Sequence, residues 1–573
     1  MSTTYQSHRS LEEWPTATAM PVEEGIFRWQ LSRTSEPARA RTTAASAPGV
    51  QKTSSLYWTI VILWLLLIGA FTSASVTTLA HAISHAEPPA VIALLVVNGI
   101  FISYFWLNGV KDLVYVFYYY ARRRSLGGGA AMVPRRADDA TPPVLLLYCT
   151  ANDFSEDSLL RSIQQDYSNA RLVILDDSSD ADMKARVDAF ASIHGAQVIR
   201  RPDRIGFKAG NLNNYLAGRS DYEYFVLLDS DEIIPPNFID RALDYFAATD
   251  QIGIVQANHQ ASRNRTRFMK LFARGVDSHW PTYQAVKQAA GFMSLLGHGA
   301  MVSRKCYEAA GGFPHVVAED LCFSIEARTA GLFTAFAEDI TCEEEYPVDY
   351  LAFKKRHSKW TQGNLEFIRA YTRKIARSNM TWFEKLDIVL FTYNLPLTAF
   401  FALYIVLNVV AFPVLGYEPH YPTWLLIPTL TFLLSPMLND IVYHWRRISP
   451  ATLAWYLVNT FVLYGSMFFV SLHASIRGML GVKAVFIITP KETQSVHLGT
   501  AIAHNRREIA FAAVLVAIAI ATTHSPLPVI MIAVPSFLSI YLTLMTATRK
   551  PIARHNLGAV TFVTWEELVS AGR

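Results

Sequence analysis

Long apolar segments on both sides of a charged, domain-sized stretch are the feature that most constrains the fold of this chain. Of its 573 residues, 51% are hydrophobic and only 17% are charged, which is unusual for a soluble protein. A helix needs about 20 apolar residues to cross a bilayer, and a charged residue at its centre costs about 2.5–3.5 kcal/mol. Six segments satisfy this requirement and are predicted to span a membrane: 56–79, 90–110, 388–412, 423–443, 509–523 and 527–545.

A seventh apolar segment, 451–475, is flanked by basic residues on both sides. Arg446 and Arg447 precede it, and Arg477 and Lys483 follow it. Because Lys and Arg mark the cytosolic side of a membrane, a segment with both ends on that side does not cross. We therefore predict an interfacial or re-entrant helix here, with a seventh span as the alternative.

The charges of the connecting loops orient the six predicted spans. The short loops 80–89, 413–422 and 524–526 contain no Lys or Arg, whereas the run at 122–124 and the segment after residue 546 are basic. The sequence therefore predicts a multi-pass protein of the cell (inner) membrane, with both termini and the stretch 125–387 in the cytoplasm. Residues 1–55 are rich in Ser, Thr, Ala and Pro and are predicted to form a disordered cytosolic tail.

The small net charge of +4 and the four cysteines argue against several classes of function. No basic patch with interleaved aromatic residues stands out, so no nucleic-acid partner is expected. Cys149, Cys306, Cys322 and Cys342 have no CxxC spacing and no matching histidine cluster. Neither a zinc site nor a redox motif is predicted, and in a cytosolic domain we expect reduced, structural thiols.

The cytoplasmic stretch has the alternating pattern of an α/β domain with a largely parallel sheet. Its clearest predicted strands are 144–148, 172–175, 225–228 and 252–255. Two of them lead into acids: the first pair is Asp176 and Asp177, and the second is Asp229 and Asp231. Since ligands bind beyond the carboxyl ends of parallel strands, we expect these acids to share one crevice. No GxGxxG follows the first strand, which disfavours a dinucleotide-binding fold.

The DSD at 229–231 suits a hard divalent cation, because alternate side chains of an extended chain point the same way. An isolated DSD is weak evidence, since acidic pairs in loops are commonly turn formers. Here it belongs to an ordered series of motifs: KAGNLN at 208–213, AED at 318–320, RHSKWTQGN at 356–364 and FIITPK at 486–491.

As a set, these motifs resemble those of the processive family 2 glycosyltransferases, which include cellulose, chitin and hyaluronan synthases. The family pattern runs D, KAGN, DxD, TED, QxxRW and FxVTxK, and the resemblance covers roughly residues 143–491. It implies a GT-A type (Rossmann-like) α/β glycosyltransferase domain inserted in a polytopic α-helical membrane domain. The predicted units are a tail at 1–55, two spans within 56–121, the GT-A domain at 130–350, interfacial helices with the RxxKW motif at 351–387, two spans within 388–443, an interfacial helix and gating loop at 451–506, two spans within 507–546 and a tail at 547–573.

The resemblance implies roles for the donor-side residues. Asp176 or Asp177 would hold the base of the nucleotide, and Lys208 would lie near the diphosphate. Asp229 and Asp231 match the DxD, of which the second would ligate Mg²⁺ or Mn²⁺.

On the acceptor side, Asp320 matches the general base of the family, and Trp360 matches the tryptophan that packs against the acceptor sugar. Thr489 and Lys491 would lie on a gating loop that closes over the donor.

Three positions depart from the family pattern. Arg356 stands where the family usually has Gln, Lys359 where it has Arg, and Ala318 where it has Thr. Lys keeps the charge but lacks the planar fork that binds phosphate bidentately, so Arg356 is expected to supply that fork beside the donor.

The implied reaction transfers sugar from a UDP-sugar donor to a growing polysaccharide, with inversion to a β-linkage and export across the membrane. The run RHSKWTQGN also resembles the RRWCQGN of periplasmic-glucan glucosyltransferases, which favours glucose as the sugar. Accessory export subunits are further candidate partners. Two alternatives stay open: a non-processive transferase that adds one sugar to a lipid or short acceptor, and a transporter or receptor with a catalytically dead nucleotide-binding domain.

Overall fold

The computed structural model describes residues 21–22, 26–27, 50, 52–125, 133, 135–136, 140–262, 266–393, 398–419, 421–482 and 496–546. Its strands are β1 Pro21–Val22, β2 Ile26–Phe27, β3 Val144–Thr150, β4 Ala170–Asp176, β5 Gln197–Ile199, β6 Tyr224–Leu228, β7 Ile252–Ala261, β8 Ala300–Ser303 and β9 Phe333–Glu344. The helices that precede or belong to the α/β domain are α1 Ser55–Ser84, α2 Pro89–Ser125, α3 Glu156–Ser162, α4 Ala181–His194, α5 Phe207–Leu216, α6 Phe238–Ala248, α7 Arg267–His279, α8 Ala285–Ala289, α9 Arg304–Ala310 and α10 Glu319–Thr329.

The helices that follow the domain are α11 Tyr350–Arg377, α12 Trp382–Thr392, α13 Thr398–Val406, α14 Phe412–Val414, α15 Leu426–His444, α16 Pro450–Ser466, α17 Phe468–Met479, α18 Leu498–Thr523, α19 Ile530–Phe537 and α20 Ser539–Thr546. Two π-helical turns, Trp280–Gln284 and Leu407–Ala411, and two 3₁₀ turns, Thr423–Leu425 and Leu527–Val529, complete the described helical structure.

The central sheet has seven strands in the order β5-β4-β3-β6-β8-β7-β9. All four predicted strands lie within β3, β4, β6 and β7. The sheet is mixed, however, because β8 runs antiparallel between β6 and β7, while the other neighbouring pairs are parallel. The antiparallel β8 therefore begins at the edge where the parallel strands end, which brings the loop before Ala300 next to the acids that follow Leu228.

Both faces of the sheet are buried, which explains why its strands are nearly continuous apolar runs. Val144, Leu146 and Tyr148 of β3 pack into one hydrophobic cluster, and Leu145 and Leu147 pack into another on the opposite face. These side chains are at most 3% exposed, so each stabilises the fold by about 1.5–3 kcal/mol relative to exposure. The two-sided core fixes the position of the carboxyl edge of the sheet.

Five helices of the described chain are long and apolar enough to cross a membrane: Ser55–Ser84, Pro89–Arg123, Thr423–His444, Pro450–Met479 and Leu527–Thr546. Four of the six predicted spans fall in this set. The segment 388–412 is instead divided between α12, which ends at Thr392, and the shorter apolar helix Thr398–Val414. The segment 509–523 is the apolar end of α18, whose first half carries Arg506, Arg507 and Glu508.

Helices α16 and α17 together, Pro450–Met479, are long enough to span a membrane. They also pack against α11, which lies outside the candidate spans. The Tyr350 hydroxyl donates to Ser466 Oγ at 3.1 Å, and His357 Nε2 lies 2.7 Å from Ser471 Oγ. Farther along, Arg369 donates to the Met479 carbonyl at 2.7 Å. These contacts follow α11 along its length, and whether 451–475 spans the membrane or lies at its surface stays a prediction. The six-span arrangement stays a prediction.

Candidate functional site

A cavity of about 700 Å³ lies at the carboxyl edge of the sheet, between α5, α7, α10 and α11. Eight of the side chains predicted from sequence line it: Asp177, Lys208, Asp229, Asp231, Asp320, Arg356, Lys359 and Trp360. Asp176 lies behind the cavity wall and is only 2% exposed. Thr489 and Lys491 lie outside the described residues.

The two acids after β4 have different environments. Asp176 accepts a hydrogen bond from Arg200 Nε at 2.7 Å and does not line the cavity. Asp177 faces the cavity, where Arg201 binds it through two nitrogens at 3.0 and 2.7 Å, and Asn211 donates to it at 3.0 Å. Such bidentate, charge-assisted bonds fix the orientation of a carboxylate. Asp177 is thus the member of the pair that is presented to a ligand.

Lys208, in the first turn of α5, lies across from the DSD that follows β6. Its ammonium donates to the Asp229 carboxylate and to the Gly297 carbonyl, the latter at 2.7 Å. Burial is the largest single influence on the pKa of Lys208 and lowers it, but Asp229 and the other nearby acidic groups together raise this pKa above its ordinary value. Asp231 is 8% exposed and accepts a hydrogen bond from the Glu345 amide at 3.1 Å. The site therefore combines a fixed cation with two carboxylates.

Asp320 lies in the first turn of α10, where its Oδ1 accepts a hydrogen bond from the Leu321 amide at 2.7 Å. The residue preceding this helix is Ala318, so Asp320 does not occupy the N-cap position. Burial raises the pKa of Asp320, and burial together with the neighbouring Asp320 charge raises the pKa of Glu319 to about 8. Both carboxyl groups are therefore poised to exchange protons closer to neutral pH than an exposed acid.

The helix α11 forms the wall opposite the sheet. Its N-cap is Asp349, whose side chain accepts a hydrogen bond from the Ala352 amide at 2.8 Å. About two turns after the N-cap, Arg356 and Trp360 lie four residues apart on the same face, with the guanidinium 4.3 Å from the ring centroid. Burial lowers the pKa of Lys359, although the Glu319 carboxylate opposes this shift.

Four further residues beside the cavity were not predicted from sequence. His298 forms a hydrogen bond with Glu232 through its Nδ1, and its Nε2 lies 3.6 Å from the Glu344 carboxylate. The Nδ1 atom of His259 lies 3.9 Å from the Glu232 carboxylate and 3.6 Å from the Glu344 carboxylate. Against the effect of burial, the two carboxylates raise the pKa of His298 to about 10. Burial would raise the pKa of Glu344, but the two imidazoles lower it to about 2. Recognising β8 as an antiparallel strand would have placed the GHG at 297–299 at this edge.

Two groups within the described chain are arranged so that a metal ion could be held. One comprises Glu232, His259 and Cys342, and the other comprises His259, His298 and Glu344, with ligand atoms within 4.8 Å of one another in each. Their members are far apart in sequence, so spacing rules do not detect them. Asp229 and Asp231 instead offer carboxylate oxygens only, the donor type that Mg²⁺ and Mn²⁺ prefer.

Comparison with protein families places most of this architecture in one group. The family described as "Glycosyl transferase family group 2" matches residues 224–545, more than half of the chain. The match begins at β6 and continues through the DSD, the AED motif, α11 and the three candidate spans that follow the α/β domain, as far as α20.

Individual relatives are more distant. The chain is 25% identical over 278 residues to "Probable glucomannan 4-beta-mannosyltransferase 6" of Oryza sativa subsp. japonica, covering 46% of this chain and 48% of the relative. It is 24% identical over 304 residues to "Glucomannan 4-beta-mannosyltransferase 2" of Arabidopsis thaliana, covering 48% and 55%. The chain thus spans about half the length of these curated relatives. A solved structure, mannosyltransferase PcManGT from Pyrobaculum calidifontis in complex with GDP-Man and Mn²⁺, is 19% identical, covers 66% of this chain and 99% of that one, and has a TM-score of 0.39.

Proposed function

The chain belongs to glycosyl transferase family group 2, and we propose that it polymerises a hexose from a nucleotide-sugar donor into a β-linked polysaccharide that crosses the membrane beside the site. The observation that carries this proposal is the convergence of eight predicted side chains on one cavity. They come from strand ends, α5, α10 and α11, so a chance gathering of residues so far apart in sequence is improbable.

On the donor side, Asp177 is oriented by Arg201 to accept hydrogen bonds from the nucleotide base. Lys208 places a positive charge beside Asp229, where a diphosphate would lie. Asp229 and Asp231 would hold Mg²⁺ or Mn²⁺, and such an ion, when bound, neutralises charge that develops on the leaving diphosphate.

The chemical step is a single displacement at the anomeric carbon. Asp320 takes the proton of the acceptor hydroxyl while the hydroxyl oxygen bonds to the anomeric carbon and the sugar–phosphate bond breaks. The nucleoside diphosphate leaves with the bonding electron pair, close to the cationic side chain of Lys208. Because the nucleophile attacks opposite the leaving group, an α-linked donor gives a β-linked product. The raised pKa of Asp320 favours proton uptake at this carboxylate.

On the acceptor side, Trp360 is 40% exposed and offers an aromatic face on which a sugar ring can pack. Ile388, Phe391 and Thr392 of α12 also line the cavity, and Asp387 of the same helix accepts a hydrogen bond from Tyr115 of α2, a candidate span. An acceptor chain held at Trp360 would therefore extend toward the membrane, which supports export of a growing polymer over release into the cytoplasm.

The test is incubation of detergent-purified protein with UDP-glucose, GDP-mannose or other nucleotide sugars, each with Mg²⁺ or Mn²⁺. We expect glucose polymer from UDP-glucose. GDP-mannose is the second donor to test because the curated relatives are named as mannosyltransferases. Digestion with linkage-specific hydrolases then identifies the product. Products that never exceed one added sugar on a lipid would overturn the polymerase proposal in favour of the single-transfer alternative.

A further inference from the structure

The helix α7 lies across the ends of three candidate spans. His444, at the end of α15, hydrogen-bonds the Arg274 carbonyl at 2.9 Å. Leu271 packs with Leu453 near the start of α16, and Phe268 packs with Leu542 in α20. Because these contacts involve one end of each span, α7 is located at the boundary between the α/β domain and the membrane.

One face of α7 is strongly basic. Arg267, Lys270 and Arg274 follow each other at spacings of three and four residues, which places them on the same side of the helix. Arg267 and Lys270 are exposed, and in the described part of the chain none of the three forms a salt bridge. Asp277, three residues after Arg274 on α7, interacts with Arg274 and offsets part of this charge, so the row keeps an excess of positive charge. Such an excess at a membrane boundary attracts anionic head groups.

The same three residues form the rim of an apolar groove of about 1140 Å³ between α16 and the α19–α20 pair. Trp455, Tyr541 and Leu544 line its walls and are 40%, 42% and 37% exposed. Phe537, one turn beyond Tyr541 and farther from α7, extends the apolar lining toward the middle of the span. Tryptophan and tyrosine at the level of a basic rim are typical of a head-group region, with hydrocarbon beyond it.

We propose that this groove binds one anionic membrane phospholipid. Its phosphate lies among Arg267, Lys270 and Arg274, and one acyl chain lies along Tyr541 and Leu544. Charge complementarity selects the head group, because the rim carries three cations. The apolar walls select a lipid over a soluble phosphate.

The position of α7 connects this site to the sugar-transfer cavity. Its other face contributes Phe272, Val276 and His279 to the lining of that cavity. A lipid that fixes α7 from outside therefore also fixes one wall of the transfer site. The binding proposal itself does not depend on the reaction, so it is tested by binding alone.

The test is native mass spectrometry of the detergent-purified full chain with phosphatidylglycerol or phosphatidylcholine of identical acyl chains. We expect one phosphatidylglycerol to be retained and phosphatidylcholine to be lost. The variant Arg267→Gln/Lys270→Gln should weaken retention about tenfold or more, since each basic residue near the surface contributes to anionic-lipid binding. The matched control, Arg186→Gln/Lys305→Gln, removes two exposed cations away from the groove and should retain the lipid as the wild type does.

A second variant separates groove binding from simple attraction of charge. Leu544→Trp keeps all three cations but fills the apolar wall, and we expect it to lose the bound phosphatidylglycerol. Equal retention of both lipids by the wild type, or unchanged retention in either groove variant, would overturn the proposal.

Discussion

The guanidinium of Arg356 lies 4.3 Å from the centroid of the Trp360 ring, one turn away on α11. Cation–π contacts of this kind are worth about 0.5–1 kcal/mol at partly exposed sites, enough to favour one orientation of the ring. One face of the tryptophan is thereby covered by Arg356, and the side chain is 40% exposed at the cavity wall.

Replacing Trp360 by Ala is expected to weaken acceptor binding while leaving donor binding intact. Loss of a ring that packs on a sugar removes about 0.5–1.5 kcal/mol, so the acceptor KM should rise roughly two- to tenfold, and products should become shorter. Product length on a gel and the KM for an oligosaccharide acceptor measure this. Trp382→Ala, which removes a similarly exposed tryptophan on α12, is the control and should leave both unchanged. Wild-type product length in the Trp360 variant would contradict the role.

Asp320→Asn should abolish synthesis while leaving nucleotide binding largely intact. An amide cannot take the acceptor proton, and general-base catalysis contributes about 10²–10⁴-fold to a rate. Radiolabelled sugar incorporation and nucleotide affinity would be measured on the same preparation. Glu326→Gln, farther along α10 and bonded to Tyr371, controls for the loss of a carboxylate in this helix. Normal turnover in the Asp320 variant would remove it from the mechanism.

The pH profile of kcat/KM should show an acid limb above the usual range of an aspartate. A base acts only when deprotonated, and burial raises the pKa of Asp320 above its ordinary value of 3.8. Activity should therefore be low where Asp320 is protonated and should rise with pH as the proton is lost. Initial rates at saturating metal, corrected for unfolding, give the profile. Activity that stays constant down to pH 4 would contradict a buried base.

Strand prediction succeeded where burial on both faces leaves a continuous apolar run. The segments 144–148 and 225–228 lie within β3 and β6 for this reason. The short β8, Ala300–Ser303, has too few residues for a pattern to be recognised, and its direction depends on partners distant in sequence. The mixed character of the sheet is therefore a tertiary property that local patterns do not contain.

The cavity shows the same contrast between what local sequence patterns predict and what only tertiary contacts decide. Asp177 and Asp231 were found because acids that follow predicted strands must meet at one edge. Which acid of the first pair faces the cavity depends on Arg200 and Arg201, whose partners only the fold reveals. His298 was missed because its loop precedes the unpredicted β8.

Asp387→Asn should destabilise the contact that helices α2 and α12 make with the α/β domain. The carboxylate is fully buried and accepts hydrogen bonds from Lys287 at 3.0 Å, the Tyr115 hydroxyl at 2.7 Å and the Phe292 amide at 2.7 Å. The asparagine side chain lacks the negative charge that compensates buried Lys287. Its NH₂ group would also face one of the three groups that donate to the carboxylate, so one hydrogen bond is lost. Breaking one partner of a buried pair costs about 3–5 kcal/mol, so the unfolding temperature in detergent should fall by several degrees.

Asp221→Asn is the control, because that carboxylate is about half exposed beside Arg171 and Arg219, and exposed pairs contribute at most about 1 kcal/mol. Thermal unfolding followed by tryptophan fluorescence compares the two variants, and an equal shift in both would show that Asp387 does not anchor the interface.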